Sequence, residues 1–520
     1  MSPLQLTNIL ENDDVFIESY KTHFDSYNVG ENKNTLQFSL DFLNVGNILN
    51  SEWGVSQNNN VSNRGSILKY EGKTSDNVPQ YSMYYNTTGA SNTAVGRSAL
   101  QNNTIGDRNC AFGLYALANN TTGGVNSSFG YKALFANTIG FQNVAIGRSA
   151  LEANTTGSNN VAVGSNSLQL NTIGDNNTAI GYLSLFTNTT GNKNTAVGGN
   201  SLYSNTIGSN NAAFGYGALY YNITGNNNSA FGYKSLHINT TGSSNSAFGH
   251  YALRNNTTGT FNAAFGKGAL QENTYGIKNT AFGSYSLKNN TVGQANSAFG
   301  YDALKANTIG NFNIAIGRSA LIANTTGSYN TAVGVNSLFG NTTGWQNLAF
   351  GVSALEANTI GGNNIGIGDN ALPVNTIGNR NVAVGNQSLY NNISGNNNSA
   401  FGYKALYGNT QSNNSAFGYA ALFGNTTGVN NSAFGYRALQ ANTFGANNTA
   451  VGSDALKTNS TGSQNTAVGV QALRENTTGI RNTAVGFQSM VVNTIGTENS
   501  AFGYLSLYTN TTGSNNSAFG

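Results

Sequence analysis

From Asn92 to the last residue, apolar and polar positions recur with a period of seventeen. The first full copy, NTAVGRSALQNNTIGDR at 92–108, has Asn at its first and twelfth places, Ala at the third, Val at the fourth, Gly at the fifth and fifteenth, Ala at the eighth and Leu at the ninth. Counting the starting Asn as position one, position four is Val, Ile or Phe in every copy. Position nine is Leu in every complete copy but one, where Met490 stands in, and position eight is always Ala or Ser. Such a period marks a solenoid, whose coils can bury their apolar side only by stacking on one another. Short apolar runs bounded by Gly and Asn turns read as strands rather than helix. The expected fold is therefore all-β: a parallel β-solenoid, or β-roll, with two short strands per coil, TAV and the segment around AL. At a strand spacing of about 4.8 Å, 25 coils make a rod roughly 120 Å long.

Copies start at Asn92 and at every seventeenth residue up to Asn398. The next start is Asn414, sixteen residues on, and the spacing of seventeen then resumes to Asn516, giving 25 complete copies and a five-residue stub. The lost residue falls in GNTQSN at 408–413, where the second Gly is missing, which places that segment in a turn. The stub ends halfway through a coil, so something further is expected to cover that end, either more chain or another subunit.

Positions four and nine are expected to face inward. Neighbouring residues of a strand point to opposite faces, so position three would then face out. It is Ala in 24 of 26 copies, with Ser128 and Gly366 the exceptions. An outward position held this small implies a second surface close against it, a seam along which copies of the chain meet, most simply as a homotrimer. The alternative is that position three lies inside a roll too narrow for anything larger. The Gly residues at five and fifteen suit turns with φ > 0. The Asn residues at one and twelve, stacked coil on coil, are expected to form amide ladders and to satisfy the turns.

Residues 1–91 carry no copy of the repeat and form a separate N-terminal region. A helix or arm is expected in the first thirty residues, where Ile9, Leu10, Val15, Phe16, Ile17 and Tyr20 have a loosely helical spacing. TLQFSLDFL at 35–43 alternates as a strand, and SILKYE at 66–71 is a second strand candidate. A region this small has difficulty forming its own core, so it is expected to cap the solenoid and attach it to a larger assembly.

Charge separates the two parts. The full chain has 23 basic and 20 acidic residues; 1–91 hold 5 and 10 of them, leaving 18 and 10 for 92–520, or −5 and +8 net. The positive charge is dilute and forms no run, so no nucleic-acid partner is expected. The N-terminus lacks the basic and apolar regions of a signal peptide, and no run of apolar residues is long enough for a membrane span. Cys110 is the only cysteine, in a slot filled elsewhere by Thr, Ser or Val, and reads as a small filler. His23, His237 and His250 are isolated and no carboxylate pair recurs, so no catalytic residues are assigned and no enzyme activity is expected. The acidic residues of the repeats, such as Asp107, Glu152, Asp175 and Glu272, are scattered, so no metal-binding or cofactor-binding residues are assigned. Asn-x-Thr tripeptides such as Asn154-Thr155-Thr156 and Asn239-Thr240-Thr241 match the glycosylation pattern, but the repeat itself generates them. An ice-binding solenoid is a lesser alternative, because its Thr-lined face would need an unbroken two-Thr rank, which positions two and thirteen to fourteen do not offer. Tyr131, Tyr216, Tyr233, Tyr301, Tyr403, Tyr419, Tyr436 and Tyr504 all occupy position six after Phe-Gly. They are expected to pack on that Phe or, alternatively, to stack on sugars.

The alternation N-[ST]-A-[VIF]-G, clearest in NVAIG at 143–147, NVAVG at 160–164 and NIAIG at 313–317, resembles the head repeats of trimeric autotransporter adhesins. That resemblance implies a left-handed roll assembled side by side in trimers. The family's repeat is shorter, and its export signal and C-terminal membrane barrel have no counterpart in this sequence. The longer unit, with its added NTTG or NTIG turn, is similar to the shafts of fibre proteins from tailed phages and large DNA viruses. The function implied is a structural fibre or spike shaft on a virion or another external surface; the alternative is an adhesin whose coils bind a surface glycan or host receptor directly.

Overall fold

The computed structural model of the chain describes residues 71–73 and 79–520. The helix expected within the first thirty residues and the strand expected at 35–43 lie outside the described residues, as does most of the strand expected at 66–71. Glu71 opens β1 (Glu71–Lys73), which pairs antiparallel with β2 (Pro79–Tyr81). From Thr93 onward the protein is a parallel β-solenoid of seventeen-residue coils. It has 26 three-residue strands, from β3 (Thr93–Val95) to β28 (Ser517–Phe519), one for each coil, and no helix among the described residues. Each strand pairs in register with the next, so Ala94 lies beside Ala111 and Ala111 beside Ser128. The stack reaches half a coil further back than the first full repeat. Met83 N donates to Ala99 O at 3.0 Å and Asn103 Nδ2 to Asn86 Oδ1 at 2.7 Å, so residues 82–91 supply the second half of a coil.

The strand faces the opposite way from the expectation. Position three is interior: Ala111, Ala145 and Ala162 are fully buried, whereas at position four Phe129 is 39% and Phe282 is 55% exposed. The reason is the width of the roll. A Cβ added at Gly366, a position-three residue, would lie 3.2 Å from Leu355 Cγ and 3.2 Å from Ala371 O, so the inward side of the strand meets the buried Leu of the coil before it. Leu at position nine fills the interior, and only Ala fits opposite. Position nine is thus inward as expected, while position four points out. The row of Ala is core, not a seam between chains, which is the alternative of a roll too narrow for anything larger at position three. Where Ser128 replaces Ala, its hydroxyl donates to Ala133 O at 2.8 Å and no polar group is left unpaired.

One strand per coil is found, not two. The AL segment is excluded from extended backbone because positions seven and nine are left-handed. In the first coil Ser98 has φ 56° and Leu100 has φ 52°, and Arg108 at position seventeen has φ 56°. Left-handed backbone costs a non-glycine residue about 1–2 kcal/mol. Burial of the Leu side chain offsets it by about 1.5–3 kcal/mol. The turns still stack by backbone hydrogen bonds, as from Leu100 N to Ala116 O at 2.9 Å and from Thr104 N to Thr121 O at 2.9 Å.

Two internal ladders of Asn run the length of the rod. At position twelve, Asn120 Nδ2 donates to Asn103 Oδ1 of the preceding coil at 2.7 Å and to Gly123 O of its own turn at 2.8 Å. At position one, Asn109 N donates to Asn92 Oδ1 at 2.9 Å, and Asn109 Nδ2 also reaches Gly123 O, at 2.9 Å. Both amides of a coil therefore converge on one glycine carbonyl, and these buried polar groups are satisfied. This gives the position-fifteen Gly a reason other than the expected positive φ. A Cβ at Gly157 would come 2.5 Å from Gly174 O and 2.9 Å from Asn171 Nδ2, so the side chain is excluded by the coil above. The position-five Gly does have the expected positive φ, 121° at Gly96. At the sixteen-residue coil the ladder survives: Gln411 O takes the place of the glycine carbonyl and accepts from Asn398 Nδ2 and Asn409 Nδ2, both at 2.7 Å. The rung below it stretches, with Asn409 Nδ2 to Asn392 Oδ1 at 3.4 Å.

Candidate interaction surfaces

Because each coil repeats the last, each exposed position becomes a stripe along the rod. Three stripes differ in chemistry. All 28 charged side chains of residues 92–520 occupy positions six, seven, ten, eleven, sixteen and seventeen. The strand face, formed by the outward residues at two and four, and the turn face at thirteen and fourteen have no charge at all.

The strand face has an apolar row at position four beside a row at position two that is Ser or Thr in 17 of 26 copies. Its position-four rings stack from coil to coil with nearly parallel planes: Phe214 on Phe231 at 4.6 Å, Phe231 on Phe248 at 4.7 Å and Phe248 on Phe265 at 4.8 Å between centroids. Ring faces are thus covered along the column, and ring edges point outward. Cys110 lies on this face at position two, half-buried and with a free thiol.

The flank at positions six, seven, ten and eleven has 13 basic and 7 acidic residues, with aromatic rings between them. Arg437 lies over Tyr436 at 4.4 Å and Arg254 over Tyr251 at 4.9 Å. The position-six Tyr residues do not pack on the preceding Phe. Six of the eight stack instead on a position-six ring of an adjacent coil, as Tyr403 on Tyr419 and Tyr419 on Tyr436, each at 5.3 Å, and Tyr233 on His250 at 5.2 Å, while Tyr131 and Tyr301 have no such ring beside them. Inside a column only ring edges are free, so a sugar could stack without displacing a ring only at a column end or on Tyr131 or Tyr301. Position ten has similar columns, such as Phe186, Tyr203 and Tyr220. His237 closes that column; its Nδ1 bonds Gly217 O at 2.7 Å. Burial pushes the His237 pKa down, with Lys234 and Arg254 adding to the effect against the Gly217 bond.

The turn face shows an order that the sequence reading missed. Position thirteen is Thr in 22 of 25 coils. Its hydroxyl donates to the carbonyl of the Thr one coil on, as from Thr104 Oγ1 to Thr121 O at 3.0 Å. The signal was in the sequence, as a polar residue kept almost invariant in a turn. With those hydroxyls committed and position fourteen interrupted by Ile105, Ile139, Tyr275 and Phe444, no second free Thr rank is formed.

No family model matches this chain, and no curated protein or solved structure matches it. The likeness to adhesin heads and fibre shafts rests on the repeat residues alone.

Two sequence candidates change meaning in the structure. Asn154 and Asn239 of the glycosylation patterns are fully buried ladder residues, with Nδ2 of each already donating twice, so neither presents its amide to solvent. Among the described residues no group of three or more His, Cys, Asp or Glu is placed to hold a metal ion, and no helix is long and apolar enough to cross a membrane.

Proposed function

We propose that the chain is the shaft of a structural fibre or spike, displayed on a virion or another external surface and attached through its N-terminal region. The observation that carries this reading is the continuous stack from residue 82 to 520, in which backbone pairing and both Asn ladders pass through every coil, including the sixteen-residue one. Each coil contributes the same short step, and the coils carry no insertions long enough to wall a cleft. What such a chain supplies is length and stiffness: 25 steps of about 4.8 Å span roughly 120 Å. Backbone amides along its sides are spent on the neighbouring coils, and no catalytic role is part of the proposal.

A second reading keeps the rod and gives its flank a ligand: an adhesin that holds a surface glycan or host receptor. The rings and cations between Tyr203 and Lys305 favour it, whereas the stacking of those rings on each other counts against it. Immunogold labelling of the source particles or cells with antibody to residues 92–520 tests the first reading. Filaments projecting from the outer surface are expected, and label confined to the interior would end it. Glycan-array binding by the full chain, lost on replacing Tyr233 and Tyr251 with Ala, would replace the shaft with the adhesin.

A further inference from the structure

We infer that the strand face is the contact between two copies of this chain, laid side by side, parallel and in coil register, about a two-fold axis that runs along the rod. The first ground is the area of the face. At position four Phe350 is 56%, Ile146 42% and Phe434 40% exposed. With apolar side chains of roughly 150–200 Å², the row of 26 exposes on the order of 1,800 Å² per chain, against about 800 Å² per partner in an ordinary stable interface. The face is also free of charge over its whole length, as the centre of an interface is and a solvated sheet face is not.

The second ground is that positions two and four compensate each other in volume. In all 12 copies with Val or Ile at position four, position two is β-branched, as in Thr93 with Val95, Val144 with Ile146 and Ile314 with Ile316. Of the 14 copies with Phe at position four, 12 have Ala, Ser or Cys at position two, as in Cys110 with Phe112, Ala212 with Phe214 and Ser229 with Phe231; Thr280 and Leu348 are the exceptions. Water sets no limit on the summed bulk of two outward side chains. A facing surface at a fixed distance does.

The geometry of the compensation selects the symmetry. A two-fold axis along the rod reverses the strand direction across the contact, so position two of one chain lies opposite position four of the same coil in the other. A small residue then meets Phe, and a β-branched residue meets Val or Ile. The gap between the two sheets stays near the ~10 Å of a packed sandwich from end to end. An axis across the rod would instead set position four against position four of a distant coil, and the pairing within a coil would have no cause. The choice of partner follows from the period: only a surface with the same step over the same length meets every coil alike, and a second copy has both. Such an isologous pair is closed, with no strand face left over.

This contact does not depend on where the rod is anchored, so a lone rod would overturn it and leave the shaft reading standing. Sedimentation of the full chain is expected to give twice the chain mass of 54.3 kDa. Lys in place of Phe at position four in the six coils from Phe214 to Phe299 is expected to return it to one chain mass with an unchanged circular dichroism spectrum. A native chain that runs as one copy or as three overturns the inference. Ser229→Val, Ser246→Val and Ser297→Val together are expected to weaken self-association at least tenfold, and adding Phe231→Val, Phe248→Val and Phe299→Val to restore it. If the serine variants alter folding but not association, the compensation is internal to the coil and the inference fails. Orientation is read from a nitroxide at Asp107→Cys in a Cys110→Ser background. A parallel pair places the two labels across the width of the pair and gives a dipolar signal; absence of one, as from labels near opposite ends, excludes the axis along the rod.

Discussion

Removing one rung of the inner ladder tests what holds the coils together. Asn239→Ala deletes three hydrogen bonds: Nδ2 to Asn222 Oδ1 at 2.8 Å, Nδ2 to Gly242 O at 2.8 Å, and the bond that Oδ1 accepts from Asn256 Nδ2 at 2.7 Å. The losses are unequal. Gly242 O keeps Asn228 Nδ2 at 2.9 Å, and Asn256 Nδ2 keeps Gly259 O at 2.9 Å. Asn222 Oδ1 loses its donor inside the roll, and an orphaned buried acceptor costs about 1–3 kcal/mol, while the other two bonds, whose partners keep a second one, add roughly 0.5 kcal/mol each. The total is about 2–4 kcal/mol. A repeat rod does not unfold in one step, so a global melt would dilute the effect. Hydrogen exchange read peptide by peptide does not. Amides over 222–256 are expected to exchange about 30-fold faster or more, at ~1.4 kcal/mol per factor of ten, while coils far away keep their rates. Asn226→Ala is the control, since it deletes only exposed bonds, to Thr224 O and from Ser209 N. If the two variants give equal changes, or Asn239→Ala less than about threefold, the ladder does not stabilise the stack as described.

Four further outcomes follow from the same geometry. Ala230→Leu overpacks the interior and is expected to destabilise its coil by about 1–3 kcal/mol, seen as local exchange, whereas Phe231→Leu on the outward side gives up ring stacking on Phe214 and Phe248 but meets no interior wall, and is expected to cost about 1 kcal/mol or less. Phe261, 61% exposed and left-handed at φ 59°, is expected to gain up to about 1 kcal/mol in local exchange on replacement by Asn, which tolerates that backbone better. His237 has a folded pKa below its unfolded value because burial penalises the charged ring, so its contribution is complete above the unfolded pKa, about 6.5, and is lost as pH falls towards the folded value. Exchange over 217–240 is expected to quicken below about pH 6.5 in the native chain and to lose that dependence in His237→Phe. The stretched rung at Asn392 and Asn409, 3.4 Å long, is expected to make the sixteen-residue coil the fastest-exchanging interior coil.

The fold class was legible because the repeat sets period, turns and polar ladders at once. Asn at one and twelve pointed to amide ladders, and both are present. What failed was the side of the strand. Val, Ile and Phe at position four looked like core and Ala at position three like a seam, because bulk was taken as the sign of burial. In a roll whose interior is already filled by Leu at position nine, bulk goes outside and Ala inside. Position fifteen misled in a related way, its Gly being required by the coil above rather than by its own φ. The second strand failed because the left-handed backbone at Ser98 and Leu100 leaves no mark in residue type; Leu is among the last residues expected there. The interaction surfaces were half legible. The charge partition and the compensation of positions two and four are sequence facts, but they acquire meaning only once both positions are known to face outward.

X-ray diffraction from aligned rods distinguishes one short strand per coil, stacked along the axis, from any other strand arrangement. A reflection near 4.8 Å is expected on the meridian, along the rod, from particles roughly 120 Å long. The same spacing on the equator, with strands running along the rod, would contradict it.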